Sequence, residues 1–162
     1  MLDWLASKIG VLIAIGTMTT FVLGLFAWQH SAMVDREGQG VADAITSVLD
    51  SLASVQAETV LNISYGNDPG QLPLTIGGGG YTVNITQDSV IVTAGGRSWI
   101  SRPVAQCIPG NLTSRQFNLT EFGMAGSGVC SGDRCSGLEF TIERARLDVS
   151  GRTEYATLVY WG

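Results

Sequence analysis

Charge is scarce in this chain: 14% of its 162 residues are Asp, Glu, Lys or Arg, against about 25% in an ordinary soluble domain. Lysine occurs once, at Lys8, histidine once, at His30, and proline 4 times. With 45% hydrophobic residues the chain is not a disordered tail. Few prolines beside 21 glycines fit a loop-rich β portion better than a helical bundle. A net charge of −5 and a pI of 4.6 argue against a nucleic-acid partner, which needs a surplus of Lys and Arg on one face. The length allows one domain, or one domain plus an appendage, and makes a large enzyme improbable.

Cysteine is also sparse. Cys107, Cys130 and Cys135 are an odd number and cannot all pair. Cys130 and Cys135 are separated by four residues with no histidine nearby, so the set lacks the ligands of a zinc site and the Cys-x-x-Cys of a redox motif. The expectation is one disulfide in an oxidising compartment plus one buried thiol. A turn over Ser131-Gly-Asp-Arg134 brings Cys130 and Cys135 together and leaves Cys107 free.

One long stretch is free of charge altogether. From Ile9 through Val34 there is no Asp, Glu, Lys or Arg, and Ile9 to Trp28 is long enough to cross a bilayer, for which about 20 residues suffice. A cleaved signal has a shorter apolar run. Gly10, Gly16, Gly24, Thr17, Thr19 and Thr20 lie within it and let helix backbones approach one another. The side chains expected to drive association are Ile9, Val11, Leu12, Ile13, Ile15, Phe21, Val22, Leu23, Leu25, Phe26 and Trp28. Beyond it, Val41, Ile45, Val48, Leu49, Leu52 and Val55 recur at threes and fours, which predicts an amphipathic continuation to about Leu61. Gly38 and Gly40 are the only breakers on the way, and a kink is expected there. One helix from Asp3 to Leu61 would be on the order of 90 Å long, far more than a bilayer needs.

From Thr59 onward the texture is β-branched and aromatic, interrupted by Gly, Asn and Asp. Strands are expected near 72–76, 81–86, 89–94, 99–105, 117–120, 138–149 and 154–161, with hairpins at Gln87-Asp88 and Ser150-Gly151. The fold class is therefore α+β: a long apolar-to-amphipathic helix in a region 1–61, followed by an antiparallel β-sandwich-like domain over 62–162. The run Gly77 to Gly80 lacks the Gly-Lys-Ser/Thr ending of a phosphate loop and reads as a turn. Ser127 lacks the Gly-x-Ser-x-Gly elbow and a histidine base. Glu139, Glu143 and Glu154, interleaved with Arg144, Arg146 and Arg152, read as a solvated strand face rather than a glycosidase carboxylate pair. No catalytic residue, metal site or cofactor is expected, and the chain is read as a non-enzyme.

Five asparagines occur, and four of them open an Asn-x-Ser/Thr triplet: Asn62, Asn84, Asn111 and Asn118. At the chain's share of Ser and Thr, chance would give about one. All follow the apolar run, so N-linked glycans are expected on a β domain outside the cell.

In layout the chain resembles type IV pilin-like subunits, in particular archaeal pilins and archaellins. The resemblance rests on the uncharged Ile9 to Trp28 run with its Gly-Val-Leu-Ile-Ala-Ile-Gly core, the amphipathic continuation, the β-rich remainder and the sequons. It implies a structural subunit that polymerises with copies of itself into a surface filament, its β domain facing outward. It also implies residence in the cytoplasmic membrane before assembly, and an assembly ATPase and membrane platform as partners. Two features depart from the pattern: no glutamate lies a few residues into the apolar run, and Lys8 is followed by Ile9 rather than by Gly or Ala. A leader would on this reading be already absent, or processing would differ. The alternative is a single-pass membrane-anchored β domain that binds a partner or serves a filament as an accessory.

Overall fold

The computed structural model describes residues 2–66, 68–111, 128–129, 139–149 and 152–161. The chain divides into two compact units, Met1–Asp35 and Arg36–Gly162. One helix, α1 (Leu2–Ala53), supplies all the described structure of the first unit and the opening of the second. Among the described residues eight strands follow: β1 (Thr59–Ile63), β2 (Thr82–Ile85), β3 (Val90–Ala94), β4 (Arg97–Ser101), β5 (Cys107–Asn111), β6 (Gly128–Val129), β7 (Phe140–Val149) and β8 (Arg152–Trp161). This is the α+β order expected from the shift in apolar period.

The strands form two four-stranded sheets, ordered β1-β7-β8-β5 and β4-β3-β2-β6. Both predicted hairpins form, β2 with β3 (Val83↔Val92) and β7 with β8 (Ile142↔Val159). The pair β5 and β8 is parallel, an exception to the antiparallel expectation. Its cause is a change of sheet: β5 follows β4 of the other sheet, and Cys107 N–H still bonds Gln87 O next to the β2–β3 turn (3.1 Å).

The helix ends at Ala53, not Leu61, and Thr59–Ile63 is a strand. Near its end Ser51 and Ser54 hydroxyls donate to the carbonyls of Ser47 and Ser51, both at 2.7 Å, offering the last turn an alternative to backbone pairing. Thr59-Val-Leu-Asn-Ile63 then gains a full ladder with β7, from Thr59↔Arg144 to Ile63↔Phe140. No strand forms at 72–76, where only the isolated bridges Tyr65↔Leu72 and Ile76↔Gly79 occur. The predicted strand at 117–120 lies outside the described residues. So does Ser127.

Within the second unit the amphipathic face of α1 is buried through Val41, Ala42, Ile45, Leu49 and Leu52. The sheets contribute Phe140, Ile142, Val159, Val83, Ile85, Val90 and Val92. Each of the buried Val, Leu, Ile and Phe side chains stabilises the fold by about 1.5–3 kcal/mol relative to exposure. The helix continues through Gly38 and Gly40. Gly38 is needed because the Trp99 ring lies against it, and a Cβ there would collide with the indole. Beside it, Glu37 Oε2 accepts from Gly77 N–H at 2.8 Å, and Asp50 Oδ1 accepts from Val104 and Ala105 N–H at 2.8 and 3.3 Å. The Gly77 to Gly80 run is a turn, with φ of 60° and 80° at Gly77 and Gly78 and reciprocal bonds between Ile76 and Gly79.

Candidate functional site

In the first unit the helix has apolar side chains on every face. All the residues expected to drive association, Ile9, Val11, Leu12, Ile13, Ile15, Phe21, Val22, Leu23, Leu25, Phe26 and Trp28, are exposed, from 41% at Val22 to 69% at Leu12 and Trp28. Met18 and Met33 are exposed as well, and belong to the same surface although the sequence reading did not single them out. Their long, adaptable side chains suit a packed apolar environment. The segment is long and apolar enough to cross a membrane by length and composition.

Two features make this surface fit for close contact. A Cβ at Gly10, Gly16 or Gly24 would meet nothing within 4 Å, so each glycine is an open notch. The hydroxyls of Thr17, Thr19 and Thr20 donate to the carbonyls of Ala14, Ile15 and Gly16 at 2.9, 2.8 and 2.9 Å. Their donors are therefore satisfied within the helix, which removes most of the penalty of placing a hydroxyl in an apolar medium.

The sequons fall in different settings. Asn62 is exposed on β1, where its Oδ1 accepts from Thr141 Oγ1 at 3.0 Å. Asn84 lies in the inner strand β2, opposite Ile91 of β3 and Val129 of β6, and its Oδ1 is buried without a hydrogen-bond partner. Asn111 ends β5 opposite Trp161. Asn118, Cys130 and Cys135 lie outside the described residues. Cys107 is a buried free thiol that donates to Thr86 O at 3.1 Å. Burial pushes its pKa up to about 11, with the nearby Asp88 charge adding to the rise.

The strand pairing keeps Glu143 and Glu154 apart. Glu143 stands opposite Leu158 while Glu154 stands opposite Leu147, so the two are separated by about 14 Å along the strands at 3.4 Å per residue. Glycosidase carboxylates are about 5–9.5 Å apart. Glu143 Oε2 instead accepts from Tyr160 OH at 2.8 Å, and the Arg144 guanidinium donates to Thr157 Oγ1 and Val55 O at 3.0 and 3.4 Å. Among the described residues, no three His, Cys, Asp or Glu side chains cluster as metal ligands would.

Sequence reasoning missed the tyrosine pair beside the Gly77 turn. The Tyr65 and Tyr81 rings pack in a tilted arrangement, 6.1 Å between centroids, and Tyr81 OH donates to Pro73 O at 2.7 Å. Burial pushes the Tyr65 phenol up to about 12 and raises Tyr81 further, helped by the charge Tyr65 would carry. Both tyrosines flank a segment predicted as a strand, and no periodic signal pairs them. The chain matches no known protein family, no characterised protein sequence and no solved structure.

Proposed function

We propose that the chain is a structural, pilin-like subunit that polymerises through the first half of α1 into an extracellular filament, with the β domain facing solvent. The observation that carries this reading is the all-round exposure of the apolar Ile9–Trp28 segment. Such a surface is not stable in water. It needs lipid or other apolar helices, and an apolar helix leaves lipid favourably only when several closely packed helices replace the lipid contacts it gives up. Contacts between identical copies that do not close into a ring give a helical polymer. Glycine notches and internally bonded threonines support helix-on-helix packing, and the sequons support a β domain outside the cell. The partners on this reading are further copies of the chain, the membrane before assembly, and the ATPase and platform that the pilin resemblance implies.

The length of the same helix also favours a second reading, a single-pass anchor carrying an outer binding domain. Electron microscopy of material sheared from the source cells, with this chain identified by mass spectrometry, separates the two. Ordered filaments with this chain as the dominant protein are the expected result. Recovery only as a detergent-solubilised monomer overturns the polymer reading and leaves the anchored domain.

A further inference from the structure

We propose that Asn62 carries an N-linked glycan attached to the folded β domain, that this glycan covers the open edge of β1, and that Asn84 stays bare. The inference rests on the reading that the β domain lies outside the cell.

The two sequons are chemically alike and differ in exposure and in strand position. Asn62 is exposed, and Thr141 Oγ1 fixes its carboxamide by donating to Oδ1 at 3.0 Å, which leaves Nδ2 as the atom a glycosyltransferase would use. Asn84 is half-buried in the inner strand of its sheet, bounded by β3 and β6, with Oδ1 buried. The hydroxyl of its sequon, Thr86, is held in the β2–β3 turn: it lies 2.6 Å from Ser89 Oγ, accepts from Ser89 N–H at 3.1 Å and meets Asp88 Oδ1 at 3.1 Å. Presenting this sequon to a transferase in the folded protein would require the Thr86 hydroxyl to leave the turn. In the transfer itself, Asn62 Nδ2 forms a bond to the anomeric carbon of a lipid-phosphate-linked or lipid-diphosphate-linked sugar. The carbon–oxygen bond to phosphorus's ester oxygen breaks, the lipid phosphate leaves with the electron pair, and the amide proton passes to a base of the transferase.

The position of Asn62 gives the glycan a task. β1 ends its sheet, and among the described residues no strand pairs with its outer side. Val60 and Leu61 on it are 59% and 38% exposed. An open edge with apolar side chains is a template for pairing with another chain. Val60 shares the face of Asn62 by the two-residue period, so a bulky hydrated sugar on Asn62 stands over Val60 and excludes an incoming strand.

The test is glycopeptide mass spectrometry of the full chain from source cells, alongside Ser64→Ala, which removes the sequon hydroxyl and leaves Asn62 and its bond to Thr141 in place. The expected result is sugar on the Asn62 peptide, none on the Asn84 peptide, and loss of the Asn62 sugar in the variant. In detergent the variant is expected to self-associate, with its apparent mass at least doubling, and adding Val60→Lys, which puts charge on the edge, is expected to restore the wild-type mass. Sugar on Asn84, a bare Asn62, or a sugar-free Ser64→Ala chain with unchanged association each overturns the proposal. Failure is distinguishable from that of the filament reading: a glycosylated Asn62 in a chain that never forms filaments sinks the filament, and filaments built from a chain bare at Asn62 sink this inference.

Discussion

The two halves of α1 share a helix and differ in what they ask of their surroundings. Before Asp35 the helix is apolar on every side and its large side chains are exposed. After Arg36 it is striped, and Val41, Ile45, Leu49 and Leu52 are buried among residues of the same chain. Composition alone separates them: the second half carries Asp43 and Asp50 between its apolar positions, and the first has no charge from Ile9 to Val34. A striped helix is completed by its own domain, whereas a uniformly apolar one is completed only by lipid or by other chains.

The largest test of this contrast removes one half. A 36–162 fragment carrying Val60→Lys to charge the β1 edge keeps the whole buried stripe and is expected to be a soluble monomer by light scattering, while the full chain requires detergent or assembles; a fragment that aggregates or remains unfolded would break the division. Next in size, Leu49→Ala in that fragment is expected to lower unfolding stability by about 2–5 kcal/mol in urea titration, because the site is fully buried. Leu23→Ala in the full chain is expected to leave β-domain unfolding unchanged and to weaken assembly. Gly38→Ala is expected to cost about 1–3 kcal/mol by forcing the Trp99 ring off the helix. Gly24→Ala, with open space around it, should be neutral or slightly favourable to the isolated helix, by about 1 kcal/mol.

The last effect is confined to alkaline pH. The Cys107 thiol is raised from its ordinary value of 9.0 to about 11 in the fold, so between these values the unfolded chain releases a proton that the folded chain keeps. Stability is then fully present below about pH 9 and falls as pH rises toward 11, by at most about 1.4 kcal/mol per unit. Tyr65 extends the same fall from pH 10 to about 12. Urea midpoints of the 36–162 fragment at pH 8, 9 and 10 are expected to decline, and Cys107→Ala is expected to flatten the decline between 9 and 10.

The sequence carried the first half of α1 almost completely, because absence of charge over that length has few physical solutions. It carried the stripe from Val41 to Leu52 for a related reason: the 3.6-residue period is a local property. It failed at 55–63, where the same apolar spacing suits a helix or a strand and the decision belongs to β7, which pairs with Thr59–Ile63 from far along the chain. Strand β5 was missed on similar grounds, since Cys107-Ile-Pro-Gly-Asn111 contains two strand-breaking residues and its strand partner, β8, lies far along the chain. The sequons were legible as triplets. That Asn62 lies on an edge and Asn84 inside a sheet was not, because strand order is not written in the local pattern.

The threonines of the apolar segment have a consequence for movement between media. Thr17, Thr19 and Thr20 keep their hydrogen bonds with the helix's own carbonyls, so transfer from one apolar surrounding to another breaks no polar bond and demands no new one. Along this stretch the helix is indifferent to whether hydrocarbon tails or protein side chains enclose it. On the proposed filament reading, a change of enclosure would therefore meet no hydrogen-bonding barrier at these three residues.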